Sequence, residues 1–297
     1  MSDYNNIRDL IEQGFTPLTV QCYLNPHSPF SNKSCCEAVV KRMLKRDDRN
    51  INAQEPTNGW TALYCASMRG NAEVVELLIE HKANPSITAH DGTTPLMAAM
   101  MHVTTVTTAH RIALALLRLG NNINAVNAKG ETALYHAVMK SWEMRDRSSN
   151  DVMHITEYYG DAQIVHFLIR RGADVNALVK GSGEMREHSD GRADDTKSVV
   201  THSMGSPILV WACDPKGGAC ARAVEVLLKA GADINARDAE SRTALIRINE
   251  DPRVTINVRN EEGRSFETRI NENPKAYDNA MKAELLLQYW ADEWEQL

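Results

Sequence analysis

One short pattern recurs along this chain and restricts what it can fold into more than any other feature. Thr61-Ala62-Leu63-Tyr64, Thr94-Pro95-Leu96-Met97, Thr132-Ala133-Leu134-Tyr135, Ser206-Pro207-Ile208-Leu209 and Thr243-Ala244-Leu245-Ile246 each place a hydroxyl, a small residue or proline, and an aliphatic residue in a row. A second pattern follows the first four: Leu77-Leu78 to Ala83-Asn84-Pro85-Ser86, Leu116-Leu117 to Gly120-Asn121-Asn122-Ile123-Asn124, Leu168-Ile169 to Gly172-Ala173-Asp174-Val175-Asn176, and Leu227-Leu228 to Gly231-Ala232-Asp233-Ile234-Asn235. Met43-Leu44 to Ile51-Asn52-Ala53 is a further copy ahead of them. Self-similarity at such a period means stacked supersecondary units, none of which buries its apolar face alone.

The residue types read as helix, turn, helix. A hydroxyl at the N-cap accepts an otherwise unpaired backbone amide, and proline at the first helical position gives up an N–H that had no partner. Ala66, Ala98-Ala99, Ala137 and Ala212 keep one face of the first helix thin, and Gly70-Asn71 ends one copy. The second helix carries aliphatics at helical spacing, as in Val74-Val75-Glu76-Leu77-Leu78, and Gly120, Gly172 or Gly231 marks its end. A short extended finger then leads through Asp91-Gly92 or Lys129-Gly130 to the next hydroxyl. Leu78, Leu117, Leu168 and Leu228 are the expected core residues.

Over most of residues 36–246 these motifs resemble the ankyrin-repeat family, with its Thr-Pro-Leu-His cap, Leu-Leu helix and Gly-Ala-Asp-Val-Asn-Ala finger. The irregular insertions are more like those of microbial or viral members. The resemblance implies an all-α repeat fold, an ankyrin-repeat solenoid with β-turn fingers, to which this sequence adds one long finger insertion and a C-terminal β-hairpin plus capping helix. The family's cap histidine is replaced by Tyr64, Met97, Tyr135, Leu209 and Ile246. The bond it supplies between cap and neighbouring unit is therefore expected to be missing.

Spacing locates the interruptions. Cap hydroxyl to finger asparagine position is 25 residues for Thr61 to Ser86, but 30 for Thr94 to Asn124, 44 for Thr132 to Asn176 and 29 for Ser206 to Asn235. Finger to next cap is 8 residues in three copies and 30 from Asn176 to Ser206. Lengthening a connection on that scale costs on the order of 1 kcal/mol, so the array tolerates it. The expected organisation is an N-terminal cap and degenerate first repeat over 1–53, an array over 54–246 with insertions at 141–159 and 178–203, and a hairpin with capping helix over 247–297. Residues 3–14 read as an amphipathic helix with Ile7, Leu10 and Ile11 inward and Gly14 stopping it. Arg253–Arg259 alternates, and Asn260-Glu261-Glu262-Gly263 returns the chain into Arg264–Thr268, which reads as the hairpin. The chain is helical from Pro274, with Leu285-Leu286 and Trp290 on the apolar side.

A net charge of -6 opposes nucleic-acid binding, whose affinity comes from cations against phosphates. No apolar stretch is long enough to cross a membrane, and Met1-Ser2-Asp3-Tyr4-Asn5-Asn6 lacks the look of a signal peptide, so a cytoplasmic protein is expected, or one in a host cell if it is a secreted effector. The six cysteines, Cys22, Cys35, Cys36, Cys65, Cys213 and Cys220, are read as reduced and packed.

No catalytic motif stands out, and neither cofactor nor metal is expected. His188, Asp190, Asp194, Asp195 and His202 are metal-ligating types, but their spacing matches no calcium loop or zinc pair and reads as a polar loop. Ser203 beside His202 lacks the glycines of a nucleophile elbow. Family alignment instead turns Met68-Arg69, Met101-His102, Met139-Lys140 and Asp214 toward the concave groove. Trp60 occupies the finger position of Thr93, Glu131 and Arg242, where it is either a contact or packs on the next finger. With His90 and Lys129 these are the expected protein-binding residues, and Arg186, His188, Asp190 and Arg192 of the finger insertion reach the same partner. The expected function is a non-catalytic protein-protein interaction module, refined as an inhibitor, immunity factor or effector. The alternative is an enzyme built from the inserted loops.

Overall fold

A computed structural model describes residues 9–23, 33–46, 50–103, 105–147, 155–180, 205–214, 219–250, 254–257, 267–270 and 274–294. The chain forms two compact units, Met1–Ala128 with Thr132–Val175, and Lys129–Glu131 with Asn176–Leu297. The first unit holds α1 (Pro17–Tyr23), α2 (Lys33–Arg46), α3 (Ala62–Met68), α4 (Ala72–Glu80), α5 (Pro95–His102), α6 (Val106–Leu117), α7 (Ala133–Arg147) and α8 (Ile155–Arg170). They form four consecutive pairs. First helices pack on first helices, α1 on α3 on α5 on α7, and second on second, α2 on α4 on α6 on α8.

The hydroxyl caps start the first helices as expected. Thr61, Thr94 and Thr132 Oγ1 each accept the backbone N–H three residues on, at 3.1 Å. Met97, where the family has histidine, turns its thioether back to accept the Thr94 N–H at 3.5 Å, so that cap keeps a reciprocal bond within itself. Thr16 caps α1 in the same way, accepting the Thr19 N–H at 3.1 Å. The turn before it holds Gly14 at φ +89°, as Gly59 and Gly92 hold their turns. At Gly59 both conformation and space demand glycine, because a Cβ would lie 2.5 Å from the His90 ring. Leu10 is buried as expected, but Ile11 is 52% exposed, and Ile7 lies outside the described residues. Of the described residues before Thr16-Pro17, which starts a new helix, 9–12 are helical and bury Leu10, ahead of the turn at Gly14.

The second helices end in one register. Ala83 and Ala173 donate their N–H groups to Leu78 and Leu168, and Gly120 donates to Leu117, while Leu78, Leu116 and Leu168 are all wholly buried. Leu117 is therefore not the core residue expected of it. It falls one position later, equivalent to half-buried Ile79 and Ile169. Lys82, at φ 68°, stands where Gly120 and Gly172 have φ 75° and 93°.

The finger asparagines act on the following repeat. Asn52 Oδ1 accepts the Asn84 N–H at 2.8 Å and Asn124 Oδ1 the Asp174 N–H at 2.9 Å, while Asn124 Nδ2 donates to the Gly172 carbonyl at 3.0 Å. One side chain thereby pairs backbone groups left unpaired at a helix end. Part of the 141–159 insertion is helical, because α7 runs on to Arg147 and α8 starts at Ile155.

The second unit holds β1 (Leu178–Val179), β2 (Ser206–Pro207), α9 (Ile208–Ala212), α10 (Ala221–Lys229), α11 (Ala244–Asn249), β3 (Val254–Asn257), β4 (Glu267–Ile270) and α12 (Pro274–Trp294). Ser206 is not the helix cap expected of it. It pairs antiparallel with Val179 while Leu178 pairs with Pro207, and α9 begins without a side-chain cap. This two-residue ladder closes the base of the long finger insertion, and Gly205 fits there because a Cβ would meet that of Leu178 at 2.8 Å. Residues 181–204 lie outside the described residues.

Thr243 caps α11 as expected, accepting the Ile246 N–H at 3.4 Å. The hairpin is present, with Val254 opposite Ile270 and Asn257 opposite Glu267, so its second strand extends past the expected Thr268. α12 packs on both α10 and α11, burying Ala283, Leu286 and Leu287. Leu285 is half-buried, and the Trp290 side chain lies outside the described residues. Leu227 and Leu228 are buried, as are the four described cysteines, Cys22, Cys65, Cys213 and Cys220, all reduced.

Candidate partner-binding face

The caps set the register of the first helices, and that register decides which side chains reach the surface. Counting from the cap, the residues up to the sixth position are buried in α3 and α5, where the stack leaves no room. Position seven is half-buried in every first helix of the first unit: Tyr23, Met68, Met101 and Met139. Position eight is Arg69, His102 and Lys140, a basic residue in three successive repeats, of which His102 is exposed and the other two half-buried.

Two of these cations also bind back along the stack. Arg69 Nε donates to the Tyr23 carbonyl at 2.9 Å, and Lys140 Nζ donates to the Met101 carbonyl at 2.8 Å. In each case position eight of one helix meets position seven of the preceding first helix, where unpaired carbonyls and the negative helix end favour a cation. The Arg69 guanidinium also lies 4.4 Å from the Tyr23 ring centroid.

Trp60 is half-buried and packs toward the N-terminus. It stacks on Tyr64 at 5.5 Å and on Tyr23 at 5.9 Å between centroids, with Phe15 edge-on at 6.3 Å. Phe15 follows Gly14 as Trp60 follows Gly59, so the two aromatics hold equivalent finger positions in adjacent repeats. Burial, then Asp91 and the Cys65 thiol, push the Tyr64 hydroxyl up to about 12. Burial likewise raises the Cys65 thiol to about 12, Arg69 opposing and Glu55 adding to it.

His90 is exposed on the next finger, its Nδ1 3.2 Å from the Thr57 carbonyl. In the second unit Lys129 is exposed, and Glu131, Asp214 and Arg242 are half-buried. Arg242 bonds Asp238 at 2.9 Å and Glu240 at 2.5 Å in its own finger and Glu250 at 3.3 Å at the end of α11. Arg186, His188, Asp190 and Arg192 lie outside the described residues, as do Asp194, Asp195, His202 and Ser203. Among the described residues no group of three or more His, Cys, Asp or Glu could hold a metal ion, and no helix is long and apolar enough to cross a membrane.

Sequence reasoning missed Tyr23 and Phe15. The signal was present, since Thr16-Pro17-Leu18 repeats the Thr94-Pro95-Leu96 cap.

The description "Ankyrin repeats (3 copies)" matches residues 31–124, and "Ankyrin repeat" matches 149–180. This is an ankyrin-repeat protein. A solved ankyrin repeat domain from Acinetobacter baumannii superposes with a TM-score of 0.55 at 18% identity, covering 92% of this chain and 97% of that one. The all-α ankyrin-repeat solenoid expected from the motifs is thus the fold found. Human ankyrin repeat and SOCS box protein 6 is 31% identical over 52% of this chain and 35% of its own length. A Rickettsia bellii ankyrin repeat protein is 45% identical over 16% of this chain and 6% of its own length, and a fowlpox virus one 31% identical over 33% and 25%. The ankyrin chain thus spans at most about a third of the length of these relatives. Ankyrin repeats are in general protein-protein interaction modules.

Proposed function

We propose that this protein is a non-catalytic binding module that grips a protein partner through the exposed ends of its first helices and its fingers. The observation that carries the reading is the recurrence of a half-buried methionine beside a basic residue at Met68-Arg69, Met101-His102 and Met139-Lys140. Methionine is flexible and polarizable, and suits a surface that must fit another. Trp60, His90, Lys129, Glu131, Asp214, Arg242 and the insertion residues Arg186, His188, Asp190 and Arg192 belong to the same proposed set. The partner's identity follows from none of these residues. Action by occlusion, as an inhibitor, immunity factor or effector, is the refinement suggested by the irregular insertions, which resemble those of microbial ankyrin proteins.

A photo-crosslinker placed at position 101 in the full chain, followed by capture and mass spectrometry, tests the assignment. Cross-linking from position 101 and not from position 118, on the second-helix side, is expected. The reverse pattern would contradict it.

A further inference from the structure

We infer that the first-helix face of the first unit takes an amphipathic helix of its partner, with apolar side chains seven residues apart and carboxylates beside them. This rests on the binding face proposed above and adds the chemistry of its occupant.

The spacing argument begins with the row itself. Tyr23, Met68, Met101 and Met139 stand at the same position of four successive packed helices, each half-buried. Packed helices lie about 8–10 Å apart, so the row offers an apolar contact at about that interval. An α-helix rises about 10.5 Å in seven residues and returns to the same face within about 20°. An extended strand covers a similar distance in about three residues, which puts successive contacts on opposite faces. A helix laid along the row matches it and a strand does not.

The charge argument comes from the adjacent row. Arg69, His102 and Lys140 flank the apolar contacts in a chain whose net charge is -6, so the basic row runs against the background. Asp91, whose charge helps raise the Tyr64 hydroxyl, is turned onto its own finger, accepting the Thr93 N–H at 2.9 Å and the Thr93 hydroxyl at 2.8 Å. Carboxylates on the occupant complement this row, whereas a nucleic acid would meet the repulsion of the whole molecule.

The test selects a phage-displayed library of randomised peptides about 20 residues long, enough to span the row as a helix, on the immobilised full chain. Expected are peptides with apolar residues at i and i+7, Asp or Glu beside them, and binding that weakens severalfold toward about 1 M salt, where screening is nearly complete. A joint Arg69→Gln, Lys140→Gln variant keeps amide donors for the two carbonyls and should weaken these peptides about fivefold without a large shift in melting temperature. Selected peptides that lack acidic residues or the seven-residue spacing, yet lose affinity on joint Met101→Ala, Met139→Ala substitution, would overturn the inference and leave the face intact. Peptides indifferent to both pairs of substitutions would overturn the face as well.

Discussion

Asp278 Oδ1 accepts the Ala221 backbone N–H at 3.0 Å, so a carboxylate 57 residues away caps the first turn of α10, whose N-cap residue Cys220 makes no side-chain cap bond. The other carboxylate oxygen lies 3.0 Å from Lys282 Nζ, and Lys282 is wholly buried, its ammonium also donating to Asn279 Oδ1 at 3.2 Å. Removing one member of such a pair strands a buried charge. Asp278→Ala should therefore cost about 3–5 kcal/mol. Asp278→Asn, which still offers an oxygen to Ala221, should cost less. Urea unfolding of the two variants makes the comparison, and equal losses would mean that only the ion pair matters.

The register of the second helices separates two adjacent leucines. Leu116 is wholly buried and Leu117 half-buried, so Leu116→Ala should cost roughly 2–5 kcal/mol and Leu117→Ala clearly less. Thermal melts of the pair decide it, and a larger loss at position 117 would show the helix rotated.

Asp238 ties a finger together. Its carboxylate accepts the N–H groups of Glu240 at 3.0 Å and Arg242 at 2.8 Å and pairs with the Arg242 guanidinium. Burial by itself would raise this carboxyl, but the Arg242 backbone bond, the guanidinium and Arg247 together hold it below the ordinary aspartate range. A lowered folded-state pKa contributes stability that is complete above the unfolded value and lost as the pH falls through the folded one. Wild-type stability should therefore fall as pH drops below the ordinary aspartate range, and Asp238→Asn should flatten that part of the curve. A variant curve parallel to wild type would contradict the assignment.

Cys65 and Cys213 are buried, with thiols pushed up to about 12, in both cases chiefly by burial. Thiolate is the reactive form. In native protein at pH 8 both should resist iodoacetamide, as read by peptide mass mapping, and both should react fully in denaturant. Alkylation of either in the native state would mean that its helix opens readily.

The repeat was legible because each unit must solve the same local problems, and threonine caps and turn glycines solve them with few residue types. Thr16-Pro17-Leu18 went unread because the preceding segment looked like a helix of its own, although Gly14 marks the same turn as Gly59. Ser206 was misread because its sequence fits a cap equally well, and only pairing with Val179, across the long finger insertion, turns it into a strand. Trp60 posed a different difficulty. Its finger position was legible, but its partners Tyr23 and Phe15 belong to a repeat whose own cap had gone unread.

The central claim is that the exposed ends of the first helices bind the partner. The direct measurement is a titration of the captured partner against wild type, against joint Met101→Ala, Met139→Ala, and against joint Arg118→Glu, Arg170→Glu on exposed positions of the second helices, each with its melting curve. The methionine pair should weaken binding by about 1–3 kcal/mol with little change in stability, and the arginine pair should bind as wild type. Full-strength binding by the methionine variant, together with loss of binding on reversing the arginines, would place the site on the second-helix side and contradict the account.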